Sequence, residues 1–419
     1  MLTLTAIGSC RIATPLRLCR ETHGFAINNN RVYGFSHSAG EATQQMKFLQ
    51  GELDIPEHMW PLVAGLREES YTLRTAEKHD ISDLYVVEIS SLKELSIGPL
   101  KVQLNYFKRI FSDFYQDVDR VRTLFQLAQK ETPEDIGAWL DANWSSTPDQ
   151  IEDSKLLRNL RLKFASVDSM MADMETLRGT LPEVLFTTHV DAVLPDGSPL
   201  RTRRTCIETV KMAASRIGAH VYDPSDLMRE FGQTNAIEDH SSSLAHFTEG
   251  FSRLVLDAWY EDAVQDLIER HLLTNPGEAI PRIFVPHARA YLRTRDPIRV
   301  ADVALLLEVA ESYFPEDIHL PMLRLELSIA QDGDLGPATW QTFLTVVTKT
   351  PLADLPKLRD TMSALTDVLP EWLDRLSDVP DISADNLTWL GSLARHMHLT
   401  DQAAALDARR HAMKSVASA

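Results

Sequence analysis

Cysteine is scarce: the 419-residue chain has three, Cys10, Cys19 and Cys206. An odd number cannot all pair within one chain, and the spacings match neither a CxxC pair nor a zinc cluster. A disulfide-stapled scaffold and a zinc module are therefore excluded, no metal site is expected, and a reducing compartment is implied. Long apolar runs are missing as well. No window approaches about 18 uninterrupted apolar residues, and the first residues lack the basic-then-apolar pattern of a signal peptide. The expectation is a cytoplasmic protein with no membrane span. Positive charge is in deficit, 42 Lys and Arg against 60 Asp and Glu, for a net charge of −18. That balance argues against a broad grip on nucleic acid or anionic membrane, since phosphate binding depends on clustered cations. Also absent are a GxxxxGK[ST] phosphate loop, a GxGxxG after the first strand, an HExxH zinc helix and a GxSxG serine elbow. The scattered tryptophans read as core anchors and form no stacking stripe.

What remains is ordinary globular composition, 44% hydrophobic, organised in two halves. The first 250 or so residues alternate strand-like runs with helical patterns, the signature of an α/β domain. Strands are expected at Leu2 to Ile7, Asp83 to Ser90, Glu183 to Thr188 and Ala219 to Tyr222, with a further one at Arg31 to Phe35. The run from Asp83 has the continuous apolar character of a buried parallel strand. Helices are expected at Gly40 to Gln50 and at Thr205 to Ile217, the latter stopping at Gly218. A helical insertion over roughly 101–178 separates the second and third clear strands, as Lys101 to Gln129, Thr132 to Asn143 and Pro148 to Arg178. After about residue 250 the strand signals fade. Eight helical patterns follow, at Phe251 to Leu273, Pro281 to Thr294, Ile298 to Tyr313, Leu320 to Gln331, Pro337 to Thr348, Leu355 to Leu376, Ala384 to His396 and Thr400 to Ser418. The reading is a domain at 1–260 and an all-α, helical-repeat-like bundle or solenoid at 261–419, fit for a protein partner or self-association.

Chemistry concentrates where the first strand ends, in Ala6-Ile7-Gly8-Ser9-Cys10-Arg11. A serine there sits at the carboxyl edge of an open α/β sheet, where such folds collect ligands. A following helix offers N–H groups to a developing oxyanion, and Gly8 permits a tight approach. A base for this serine has to come from a loop on the same edge. The segment Asp239-His240-Ser241-Ser242-Ser243-Leu244-Ala245-His246-Phe247-Thr248-Glu249-Gly250 follows the last strand and helix of the α/β half.

The strand ending in Gly-Ser-Cys and the late His-Phe-Thr-Glu-Gly segment resemble the SGNH/GDSL hydrolase superfamily over about residues 1–260. The resemblance implies a flavodoxin-like parallel sheet, with Ser9 as nucleophile and His246 as general base in acyl-ester hydrolysis or acyl transfer. The family's usual Asp three residues before the histidine is replaced by Ser243. Either Asp239 substitutes through a longer loop or the site works as a Ser-His dyad, with His240 a competing base. The family's oxyanion glycine and asparagine blocks have no clear counterpart. Ser90 and Ser91 stand where Gly-x-Asn-Asp is usual, and Asn105 or Asn28-Asn29-Asn30 are candidate amides. By the same resemblance, a carbohydrate-linked acyl substrate and an acyl-CoA donor are expected, with no resident cofactor required.

Other edge candidates are His37, in the loop before the helix near Gly40, and His189, beside Asp191 at the end of the third clear strand. Both fit polar substrate contacts, with capping by Ser36 or Ser38 and local hydrogen bonding as their structural alternatives. Arg11 and the basic stretch Arg201, Arg203 and Arg204 are candidates for an anionic ligand. The competing functions are therefore an esterase or acyltransferase, a non-hydrolytic binder of CoA, nucleotide-sugar or glycan, and an interaction scaffold acting through the helical half.

Overall fold

A computed structural model gives the fold and describes the chain apart from residues 66–68, 146, 239–243, 318, 333–338, 340–341, 344, 347–368, 377–381 and 418–419. Two compact units emerge. One comprises Leu2–Arg20 with Ala26–Gln265, and the other Met1, Glu21–Phe25 and Asp266–Ala419.

The first unit is α/β. Its five-stranded sheet runs β2 (Phe25–Ile27), β1 (Leu2–Ile7), β3 (Leu84–Ile89), β7 (Val184–Thr188), β8 (Val221–Tyr222). The pairs β1–β3, β3–β7 and β7–β8 are parallel. Every residue of β3 is buried, as expected of a central parallel strand covered on both faces. On one face Ile7, Tyr85, Val87, Ile89 and Phe186 pack against helices Ala39–Leu49, Val167–Thr180 and Arg201–Ile217. The alternate residues Leu4, Val86 and Leu185 are equally buried.

The expected insertion is helical but also holds a sheet that the helical patterns hid. β4 (Lys93–Ile97) pairs antiparallel with β5 (Leu100–Val102) and with β6 (Leu160–Phe164). The helix expected over Lys101 to Gln129 is therefore a strand followed by helices Leu104–Ile110, Ser112–Tyr115 and Val118–Lys130. The one expected over Pro148 to Arg178 is interrupted by β6, whose Leu-Arg-Leu-Lys-Phe alternation has a period of two. Here Phe107, Phe111, Phe114, Trp60 and Trp144 form a second, aromatic-rich core. Helix Pro133–Asn143 starts at a capping box on Thr132, which satisfies otherwise orphaned N–H groups.

Arg31 to Phe35, expected as a strand, is instead a turn. Arg31 and Gly34 adopt φ of +58° and +37°, and the Arg31 guanidinium donates to the carbonyls of Phe48, Thr75 and Glu77. The edge strand lies earlier, at Phe25–Ile27.

In the second unit the described elements from Val285 onward are helices: Val285–Thr294, Pro297–Tyr313, Leu320–Asp332, Leu369–Leu376, Ala384–His396 and Thr400–Ala417. Trp372, Trp389, Phe343 and Leu390 lie in their core. The helix expected from Pro281 begins earlier, at Pro276, and passes through a π-turn at Ile280–Phe284, where Pro281 has no N–H to give. Most of the patterns at Pro337 to Thr348 and Leu355 to Leu376 lie outside the described residues. Among the described residues, no helix is long and apolar enough to cross a membrane.

The sheet assignment makes a contrast testable. Phe186 is fully buried on β7, whereas Phe164 ends β6 at 54% exposure. Phe186→Ala is expected to cost about 3–5 kcal/mol in urea denaturation, and Phe164→Ala no more than about 0.5 kcal/mol. Equal losses would contradict the packing described.

Candidate functional site at the carboxyl edge of the sheet

Parallel register decides what meets at this edge. Ile7 lies opposite Val87, and Ile89 opposite Thr188, so the residues that follow, Gly8-Ser9, Ser90 and His189, emerge side by side. Helix Cys10–His23 begins immediately after Ser9. The Ser9 carbonyl accepts the N–H groups of Ile12 and Ala13, and its hydroxyl accepts the N–H of Arg11 at 3.3 Å. Ser9 is thus both the last residue before the helix and its cap.

The dominant group is one that the sequence reading did not single out. Glu88, on β3, is 0% exposed. One carboxylate oxygen accepts the Ser9 N–H at 2.8 Å, and the other takes Arg11 Nε and Nη2, each at 2.5 Å. Gly8 makes this approach feasible, because a Cβ there would lie 2.6 Å from Glu88 Cβ. A charged residue inside the apolar run Tyr85-Val86-Val87-Glu88-Ile89 was the available signal, since ionised groups are rarely buried without a partner.

His37 is tied in from both sides. Its carbonyl accepts the N–H groups of Ser90 and Ser91 at 2.8 and 2.9 Å, and its own N–H donates to Glu41 Oε2 at 2.8 Å. Its Nδ1 lies 3.1 Å from Ser90 Oγ, and its Nε2 lies 3.5 Å from Asn105 Nδ2. With the amide donating to Nε2, the ring proton sits on Nδ1 and is donated to Ser90. Burial lowers the His37 pKa, with the Arg11 charge assisting and Glu88 opposing.

His189 is driven well below its ordinary value, first by burial and then by the charges of Arg11, Arg203 and His37. Its Nδ1 accepts the Val190 N–H at 2.7 Å, which leaves the proton of the neutral ring on Nε2. The edge therefore carries two neutral imidazoles of opposite sense, His37 with a basic Nε2 and His189 with a donating one. Cys10, next to the serine, is held as a protonated thiol because burial raises its pKa, which removes it as a competing nucleophile.

Other sequence candidates fall elsewhere. Arg201 is exposed at the start of its helix, and Arg204 is paired with Asp191 at 2.9 Å. Arg203 is the member of that stretch whose charge reaches His189. Ser90 supports His37, and Asn105 does stand at the edge. The Asn28 side chain instead holds Asp80 O and Ser82 Oγ. His246 is exposed on a loop where its carbonyl accepts the Glu238 N–H. Asp239 and His240 lie outside the described residues. Among the described residues, no histidine ring hydrogen-bonds the Ser9 hydroxyl, and no group of three or more His, Cys, Asp or Glu is gathered as for a metal.

A buried Gly-Ser turn at the carboxyl edge of a parallel sheet, flanked by neutral histidines and two arginines, defines an α/β protein with its polar groups gathered at one edge. The family described as the TviD N-terminal domain matches residues 2–262, and the chain belongs to that family. Among curated proteins, the Vi polysaccharide biosynthesis protein TviD of Salmonella typhi is 31% identical over 268 residues, covering 64% of this chain and 32% of that protein. The match thus spans about a third of the relative's length. No solved structure matches.

The buttress of the His37 loop titrates. Burial, with the nearby Glu94 charge adding, raises Glu41 from an ordinary value of 4.5 to about 8. A carboxyl raised on folding contributes stability that is fully present below the unfolded value and is lost as pH rises through about 8. Glu41→Gln is expected to flatten the fall in stability between pH 4.5 and about 8, read by urea denaturation across that range. An unchanged pH slope in the variant would rule Glu41 out as its source.

Proposed function

We propose that the chain is a serine-dependent acyltransferase or acyl-ester hydrolase acting on a polysaccharide or its precursor, with Ser9 as the nucleophile. The observation carrying this reading is the Ser9 N–H, which already holds an anionic oxygen, Glu88 Oε2, at 2.8 Å. That N–H sits on the turn that also presents the Ser9 hydroxyl, as an oxyanion donor must. Numbered within the sheet, the strand order is 2-1-3-4-5, which is that of flavodoxin-like folds and supports the SGNH-type reading. The polysaccharide class comes from the printed role of the Salmonella relative.

In this scheme Ser9 Oγ attacks the acyl carbon while a histidine takes the hydroxyl proton. The carbonyl oxygen becomes an oxyanion and displaces the Glu88 carboxylate oxygen from the Ser9 N–H. Collapse expels the leaving group, which takes the proton back from the histidine. A sugar hydroxyl or water then accepts the acyl group by the reverse steps. Acyl-CoA is the donor consistent with this chemistry. His246 is the base implied by the family resemblance, and His37, which hydrogen-bonds Ser90 and Asn105 at the edge, is the alternative base of this reading. His189, with its Nε2–H, is suited to hydrogen-bond the substrate.

A second reading, non-hydrolytic binding of CoA or a nucleotide-sugar at the same edge, is favoured by the capping role of the Ser9 hydroxyl and by the lack, among the described residues, of a histidine hydrogen bond to it.

A fluorophosphonate probe is expected to label Ser9 in the folded protein, with labelling abolished by Ser9→Ala. Of His37→Ala and His246→Ala, the variant that removes the base is expected to lower p-nitrophenyl acetate turnover by roughly 10²- to 10⁴-fold. Absent labelling together with unchanged turnover in Ser9→Ala would sink the nucleophile assignment. CoA binding that survives both Ser9→Ala and His246→Ala would then favour the second reading.

A further inference from the structure

Next to this edge lies a cavity of about 260 Å³ that the chemistry above does not use. Lys93, Leu104, Lys108, Tyr115, Val121 and Phe125 line it. Its relation to the reactive edge follows from the chain. Lys93 opens β4 two residues after Ser91, and its N–H is held by Ser91 Oγ at 3.0 Å. Helix Leu104–Ile110 places Asn105 beside His37 Nε2 and contributes Leu104 and Lys108, one turn apart, to the cavity. A single short helix thus serves both places.

The cavity has the chemistry of a site. Lys93 and Lys108 are exposed, and neither is in an ion pair among the described residues. In a chain of net charge −18, two unpaired lysines on one hollow form a local positive field. The apolar part of the wall is anchored, since Leu104, Tyr115, Val121 and Phe125 all pack on the aromatic core of the insertion. The Tyr115 ring is fixed edge-on between Phe107 and Phe125, with centroids 5.9 and 6.3 Å away. Its hydroxyl is buried and has no hydrogen-bond partner among the described residues. Such a group destabilises the fold when left unsatisfied. Burial also raises its pKa, so it remains a donor. The volume lies below the ~300–1,000 Å³ of drug-sized pockets, which limits the occupant to one ring or a short chain.

We propose that this cavity binds an anionic monosaccharide unit, its carboxylate or phosphate held by Lys93 and Lys108 and its ring set against Leu104, Val121 and Phe125. Naming the occupant a sugar rests on the polysaccharide reading above; the anion preference rests on the cavity alone. With the acceptor's charged unit anchored here, a hydroxyl of the same or the neighbouring unit is directed along the Leu104–Ile110 helix toward His37 and Ser9.

Calorimetric titration of the full chain with D-glucuronate, D-glucose 1-phosphate, inorganic phosphate and D-glucose tests the proposal. At least one anionic sugar is expected to bind tenfold or more tightly than glucose, and the stronger of the two identifies the charged group. That affinity is expected to fall at least fivefold in Lys93→Gln and in Lys108→Gln, both exposed positions whose replacement leaves the core intact. Anionic sugars binding no tighter than glucose, or unaltered by the double lysine variant, would overturn the site. Inorganic phosphate binding as tightly as glucose 1-phosphate would overturn the sugar assignment. Because binding is read without turnover, lysine-dependent binding alongside failed Ser9 labelling overturns only the acyl-transfer reading. Successful labelling without anion selectivity overturns only the cavity.

Discussion

The carboxylate of Glu88 is the constraint around which the edge of this sheet is organised. Placing an ionised group in the middle of a strand buried on both faces costs several kcal/mol in lost hydration unless partners replace the water. Arg11 and the Ser9 N–H are those partners, and they come from one turn of chain. Their geometry fixes the start of the first helix and leaves no room for a side chain at residue 8. It also directs the Arg11 charge inward. An arginine that looked available for a ligand is thereby committed to the fold, while its field still reaches the two histidines. Any acyl oxyanion at the Ser9 N–H has to compete with Glu88 for that donor. On the acyl-transfer reading, such a competition would favour an oxygen carrying full negative charge over a neutral carbonyl, the preference for transition state over substrate that catalysis requires.

The histidines extend the same logic. Desolvation and the Arg11 charge lower both pKa values, and fixed neighbours decide which nitrogen of each carries the proton. In His189 a neighbouring N–H occupies Nδ1. In His37 the ring is aimed by Ser90 and Asn105, and the loop beneath it is clamped by Glu41. Proton acceptor and proton donor are thus set by contacts made before any ligand arrives, which is the preorganisation that acid–base work requires.

Much of this was legible in the sequence, and what was hidden had physical causes. The apolar runs that became β1, β3 and β7 declare themselves because parallel strands are buried on both faces. Gly8, Ser9, His37 and His189 could be placed at the carboxyl edge because they follow strands or precede a helix. Hidden were β4 to β6, whose pairing joins Lys93–Ile97 to Leu160–Phe164 across more than sixty intervening residues, a partnership no local pattern reports. Phe25–Ile27 was missed because three residues are too short to show a period. Glu88 escaped because a hydrophobic run absorbs one charge without changing its appearance, and the partner that makes the burial tolerable is 77 positions away. His246 was named from a motif, but only the fold could reveal that it lies exposed on its loop while His37 stands half-buried at the edge.

Charge is distributed on two length scales. The excess of acidic residues over basic ones repels an anionic substrate at a distance, yet Arg11, Arg203, Lys93 and Lys108 gather in the part of the chain matched by the family, at the edge and in the cavity beside it. Beyond a Debye length of about 8 Å at physiological ionic strength the global repulsion is screened, and inside that distance the local cations prevail. Added salt accordingly weakens the hold of the lysines on a bound anion while easing its approach. The protein's acidity is compatible with an acidic substrate because the two act at different ranges.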